Sequence, residues 1–146
     1  MAEEQYEALK LENQLCFPLY ACAKEVVRRY KPFLDGIDLT YTQYIVMMVL
    51  WDRRHVNVRE LGSCLYLDSG TLTPLLKRLE QKGLITRSRS ARDERALDVN
   101  ITEEGLALRE KAQEIPVEMG KCIGISGEEA GILCRLLHKV LASVEE

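Results

Sequence analysis

Between Asp68 and Ile101 the apolar spacing changes period, and that change dictates a mixed fold. Leu72, Leu75, Leu76 and Leu79 keep the i, i+3, i+4, i+7 intervals of a helix face, whereas Leu97, Val99 and Ile101 alternate with Asp98 and Asn100 as a strand does. Asp68-Ser69 offers a helix start before the first pattern. Lys82-Gly83 offers a stop after it, because glycine accepts the left-handed conformation that closes helices. Beyond Gly83, Leu84 to Arg89, a polar turn over Ser90 to Glu94 and Arg95 to Ile101 read as a two-stranded hairpin. Two strands are not stable alone, so this hairpin needs helices beside it.

The helices are signalled by their caps. Thr40-Tyr41-Thr42-Gln43 is a capping box opening an apolar helix through about Arg53, and Asn57 opens a short helix to about Leu65. With the Asp68 helix this makes a helix-turn-helix, and the hairpin makes it a winged one. Upstream, Glu7 to Tyr30 reads as a long helix that ends before Lys31-Pro32, since the residue before proline avoids the helical region. Downstream, Thr102 caps a helix from Glu103 to about Met119 that Pro116 bends or ends early, and Ser126 caps a final one. Both outer pieces carry apolar faces broad enough to need a partner, which points to a homodimer. The expectation is one domain over residues 1–146, mainly α with a small β-hairpin wing. Residues of about 1–35 and 103–146 would form dimerisation helices, and about 40–102 the winged helix-turn-helix.

Composition narrows the function. At 146 residues and 47% hydrophobic content the chain can bury a core. Its first residues, MAEEQYE, lack a basic leader, and the longest apolar run, Tyr44 to Trp51, is far short of the roughly 18 residues of a membrane span, so a soluble, cytoplasmic protein is expected. Cys16, Cys22, Cys64, Cys122 and Cys134 are odd in number and widely spaced, which argues for reduced thiols; of these, Cys22, Cys64 and Cys134 read as core packing. With only His55 and His138 and no metal-ligand spacing, no metal site is expected, and no glycine-rich phosphate loop suggests a nucleotide cofactor.

Charge is concentrated where the period changes. From Ser69 to Arg95, seven cations (Lys77, Arg78, Lys82, Arg87, Arg89, Arg92, Arg95) face three acids (Glu80, Asp93, Glu94), in a chain whose formal net charge is -3. Such a segment suits the phosphates of double-stranded DNA. Ser69, Gly70, Thr71 and Thr73, at the start of the recognition helix, are small enough to approach bases and phosphates closely, and Lys77, Arg78, Arg87 and Arg89 add positive charge. Arg92 and Arg95 sit at the wing tip, where arginine enters a narrow minor groove, and Asp93 beside them would hold one of them in position.

DSGTLTPLLKRLEQKGLITR followed by RDERALDVNITEEG resembles the MarR family of winged-helix repressors, whose Asp-x-Arg wing pattern is matched by Asp93 and Arg95. Asp68 to Glu80 together with LCFPLYA is similar to the family's organic-hydroperoxide sensor branch. The resemblance runs from about Gln14 to Gly105. It implies a repressor, not an enzyme, binding a pseudo-palindromic operator as a dimer. It also implies that Tyr30 and Tyr41 hydrogen-bond a reactive cysteine across the dimer, with Tyr20 nearby.

Cys16 is the matching cysteine. Pro18 either occupies the first helical turn, leaving Cys16 at a helix N-terminus whose partial positive charge favours thiolate, or kinks a continuous helix. A thiolate attacking an organic hydroperoxide becomes a sulfenic acid. Leu15, Phe17, Leu19, Met47 and Met48 would favour a greasy peroxide. The resemblance leaves two resolving routes, a low-molecular-weight thiol or a late cysteine on the partner subunit; Cys122 stands in that late position, with Cys134 on the final helix as the alternative. Two other readings remain: a repressor that binds a lipophilic or phenolic ligand with Cys16 lining the pocket, and a thiol peroxidase.

Overall fold

The computed structural model describes residues 4–145; residues 1–3 and 146, the ends of the expected domain, lie outside the described residues. Helix α1 spans Cys16–Asp35, α2 Tyr41–Arg53, α3 Val58–Leu65, α4 Ser69–Gln81, α5 Glu103–Ala112, α6 Ile115–Cys122 and α7 Gly127–Val144. Three strands, β1 (His55–Asn57), β2 (Ile85–Arg89) and β3 (Leu97–Ile101), form an antiparallel sheet in the order β1-β3-β2. The chain divides into two compact units, one up to Ile115 and one from Pro116 onward.

The caps fall where their chemistry predicts. Thr40 Oγ1 accepts from the Gln43 N–H while the Gln43 side chain accepts from the Thr40 N–H, and Ser126 and Glu129 form the same reciprocal box. Asn57, Asp68 and Thr102 cap their helices by accepting from the N–H three residues on. Helix α4 ends in a Schellman motif. Gly83, at φ 77°, donates to the Glu80 carbonyl at 2.9 Å, and Leu84 donates to Leu79 at 3.1 Å.

Four expectations change. The first helix does not begin at Glu7: residues 4–9 and 11–13 form 3-10 turns, and Gln14 is extended. The Gln14 amide donates to the carbonyls of Ala8 and Lys10, which breaks the run before Cys16. Pro18 is then the third residue of α1, where its missing N–H has no intrahelical acceptor to lose. Nor does α1 stop before Lys31-Pro32. It continues through Pro32 to Asp35, fastened by buried Leu34 and a Lys31–Asp35 ion pair at 3.0 Å. The sheet has three strands because His55–Asn57 pairs with Asp98–Asn100. The Glu103 helix ends at Ala112, and Pro116 lies in the first turn of the separate α6.

In the first unit, Leu72, Leu75, Leu76 and Leu79 of α4 are buried along with Val46, Met47 and Leu50 of α2, Leu61 of α3, and Ile85 and Val99 of the sheet. Helix α5 approaches the Leu84 backbone at Gly105: a Cβ there would collide with the Leu84 carbonyl oxygen and come within 2.9 Å of Ile101 Cγ1. The Gly105 carbonyl in turn accepts from Trp51 Nε1 at 2.8 Å. Gly105→Ala is therefore expected to destabilise the fold by about 1–3 kcal/mol, read as a lower midpoint in urea.

Candidate functional site

Helix α4 separates its two faces cleanly. Its leucine stripe is buried, while Ser69, Gly70, Thr71, Thr73, Lys77 and Arg78 are exposed. Asp68 Oδ1 accepts from the Thr71 N–H at 2.7 Å, and these hydrogen bonds hold its carboxyl below the usual aspartate range. The first turn is thereby fixed, with Ser69, Thr71 and Thr73 on its exposed side.

The wing is built as a folded turn. Ser90 N–H donates to Ala96 O at 2.9 Å, Ala96 N–H to Asp93 O at 3.0 Å, and an Arg89 guanidinium N–H to Glu94 O at 2.7 Å. Asp93 does order its arginine neighbour, but through the backbone: its Oδ1 accepts from the Arg95 N–H at 3.0 Å. Arg92 and Arg95 are exposed at the tip.

Arg87 differs from the other cations. It lies on the face of β2 shared with buried Ile85, and its guanidinium pairs with Glu80 of α4 at 3.1 Å. Its backbone N–H donates to the other Glu80 oxygen at 3.0 Å. Glu80 thus clasps the wing to the recognition helix, and hydrogen bonds from Arg87 hold its carboxyl below the usual glutamate range. Sequence reasoning missed Glu80, because its partner is on another element.

The thiols are distributed differently from expectation. All five cysteines are exposed, including Cys22, Cys64 and Cys134, which had read as core. An apolar stripe at helical spacing identifies a face but not what covers it. Cys16 is the first residue of α1, where the free N–H groups of a helix favour an anion. Its surroundings are apolar and open: Leu15 is 73% and Phe17 42% exposed, beside a cleft of about 570 Å³ lined by Lys10, Leu11, Glu12, Phe17 and Pro18. Tyr20 is exposed one turn away, whereas Met47 is fully buried and Met48 exposed. Cys122 is the last residue of α6, in the second unit.

The tyrosines form a cluster of their own. The Tyr30 and Tyr41 rings stand 4.9 Å apart, each within 6.3 Å of Tyr44, and Tyr44 packs edge-on against Trp51. Burial, and then the neighbouring Tyr41 phenol, pushes the Tyr30 phenol up from its ordinary value, and Tyr44 is raised in the same way by burial and by Tyr30 and Tyr41. Both remain O–H donors at neutral pH. Tyr44 and Trp51 were not read as partners of Tyr41 in the sequence, although successive intervals of three (Tyr41 to Tyr44) and seven (Tyr44 to Trp51) set all three on one helix face. Cys16 and Tyr30 are fourteen residues apart on one helix, about 21 Å at 1.5 Å per residue, so they do not meet within one chain.

Among the described residues no helix is long and apolar enough to cross a membrane. Residues 28–115 match the family of SarA/Rot transcriptional regulators. The chain is 46% identical to the organic hydroperoxide resistance transcriptional regulator of Bacillus subtilis, over 99% of this chain and 98% of that protein. It is 44% identical to the HTH-type transcriptional regulator SarZ of Staphylococcus aureus, over 90% and 89%. AbfR of Staphylococcus epidermidis, reduced and bound to DNA, matches with a TM-score of 0.78 at 32% identity, covering 98% of this chain and 99% of that one. Its disulfide form matches with a TM-score of 0.68 at 31% identity over the whole of both chains.

The depressed Glu80 carboxyl fixes the sign of a pH effect. Its contribution is full above the ordinary glutamate range and is lost as pH falls through the lowered folded-state value. The stability gap between the parent and Glu80→Gln, from urea titrations, should be open at neutral pH and close in acid. Operator affinity of Glu80→Gln should fall at neutral pH with helix content unchanged.

Proposed function

The chain belongs to the MarR/SarA family of winged-helix transcriptional regulators, and we propose that it is a DNA-binding repressor that senses organic hydroperoxides through Cys16 and then releases its operator. The observation that carries this is Cys16 itself. It opens α1 at a helix N-terminus, exposed among apolar side chains, in a chain close in sequence to a regulator named for organic hydroperoxide resistance.

The thiolate sulfur of Cys16 attacks the terminal peroxide oxygen. The O–O bond breaks, the alkoxide leaves and takes a proton to become an alcohol, and sulfur is left oxidised as sulfenic acid. Leu15 and Phe17 favour an alkyl peroxide over hydrogen peroxide, because the reacting group arrives with its chain against an apolar surface. The sulfenic acid then condenses with a second thiol, losing water to form a disulfide. Cys122 of a second copy, or a small cytoplasmic thiol, supplies it, and the disulfide form of AbfR supports such an end state.

The family resemblance implies that Tyr30 and Tyr41 hydrogen-bond the reactive cysteine, and the distance along α1 supports a homodimer for it: Tyr30 is about 21 Å along the helix from Cys16 of its own chain, so on this reading the phenols come from the other copy, with Tyr20 at the rim. A dimer carries two recognition helices about one DNA turn apart, roughly 34 Å, and reads a pseudo-palindromic operator. The AbfR–DNA complex supports this use of the fold. Ser69, Gly70, Thr71, Thr73, Lys77 and Arg78 face the DNA, with Arg89, Arg92 and Arg95 on the wing. Arg87 contributes by fixing the wing.

Fluorescence anisotropy tests this on DNA from upstream of its own and adjacent genes, before and after one equivalent of cumene hydroperoxide. The parent should lose at least about tenfold in affinity and Cys16→Ser none, a difference of about 1.4 kcal/mol. Tight binding by both proteins that ignores peroxide would refute the sensor and leave a ligand-responsive repressor.

A further inference from the structure

Lys82 is the C-cap of α4, where a cation is favoured by the helix dipole. A lysine in that position ordinarily extends into water. Here the ammonium crosses to the corner between α1 and α2, donating to the Asp38 carbonyl oxygen and lying 3.5 Å from the Asp38 carboxylate. It also donates to Gln43 Oε1 at 3.3 Å.

Gln43 is the buried polar residue of the core among the described residues, 4% exposed, and the same Oε1 accepts from the Thr40 N–H at 3.0 Å. Lys82 is therefore bonded into the capping box that starts α2. Asp38, at φ 53°, turns its carbonyl toward the lysine at the cost of a left-handed backbone that aspartate adopts uncommonly. Tyr41 is the first residue of α2, two positions from Gln43, and its ring packs on Tyr30. One continuous path thus runs from the Tyr30–Tyr41 pair through the first turn of α2 to the end of the recognition helix. On its other side that end is held by Thr102, whose hydroxyl donates to Gly83 O at 2.6 Å and whose N–H donates to Leu84 O at 3.1 Å.

We propose that Lys82 is a positioning residue that transmits rearrangement of the Tyr30–Tyr41 pair to the recognition helix by joining the α2 capping box and Asp38 to the C-terminus of α4. This rests on the reading of Cys16 as the switch. When the tyrosines change partners on oxidation, the first turn of α2 shifts. A bond at 3.3 Å has little room to lengthen before it is lost, so α4 follows the lysine or gives up its tether.

The test compares the parent with Lys82→Met, Lys82→Arg and Thr102→Val, each checked for folding by thermal melting. Operator Kd is measured for the reduced protein and after cumene hydroperoxide, with Cys16 oxidation fixed by mass spectrometry. The ratio of oxidised to reduced Kd should drop about tenfold in Lys82→Met at an unchanged rate of Cys16 oxidation. Lys82→Arg should recover most of it, and Thr102→Val should weaken binding yet keep the ratio. If Lys82→Met melts early, Lys82→Gln makes the same comparison. A parallel fall in both states, with the ratio intact, marks Lys82 as a phosphate contact and overturns the relay. An equal loss of ratio in Thr102→Val overturns it as general loosening. A parent that ignores peroxide overturns the sensor reading and the relay together.

Discussion

The turn from helix to strand at the end of α4 is the constraint from which the rest is oriented. Gly83 in the left-handed region lets the chain reverse within two residues, and the Leu84 bond back to Leu79 locks the exit direction. From there β2 runs beside α4, so Glu80 meets Arg87, and Leu84 presents its carbonyl to the Thr102 cap of α5. The leucine stripe alone would bury α4 against α2 and α3 without deciding where the wing points. The glycine and the clasp decide it, and they bring the wing arginines and the α4 hydroxyls into one module.

The candidate sensor is built on the opposite principle, by separation. The thiol stands at one end of α1 and the phenols near the other, about 21 Å apart along the helix. Burial raises the Tyr30 and Tyr44 phenols further above neutral pH, so both are O–H donors. The exposed leucines and phenylalanine around Cys16, and the exposed face of α7 with Ile132, Leu133, Leu136, Val140 and Leu141, are apolar surfaces of the kind that mark interaction sites. On the proposed sensor reading, a second copy would supply the partner for both the phenols and these surfaces.

Much of this was legible because it is local. Each cap is one side chain acting on a backbone three residues away, and Thr40, Asn57, Asp68, Thr102 and Ser126 all start helices where the sequence says they should. The proline at position 18 left two geometries open, and only the amide of Gln14, reaching back to Ala8 and Lys10, selects the one that places Cys16 first in its helix. Strand β1 was missed because three residues show no period and its partner lies more than forty residues on. The exposed cysteines mark the same boundary. Spacing reports that Cys22 and Cys134 lie on helices with apolar stripes, but not that the thiols themselves are exposed.

These two principles, a rigid reader and a divided sensor, limit what oxidation can change. Glu80 and Arg87 hold wing and helix together, the Asp68 and Asp93 caps fix the helix start and the wing turn, and none of these contacts involves α1. On the proposed reading, the internal geometry of the surface that would meet DNA is therefore insulated from events at Cys16. What remains free is the angle at which that surface is carried, set where α4 meets the α1–α2 corner. A dimer with two such surfaces needs only a small change of angle on each side, because both must fit one turn of DNA at once, and losing that fit forfeits simultaneous engagement without unfolding either reader.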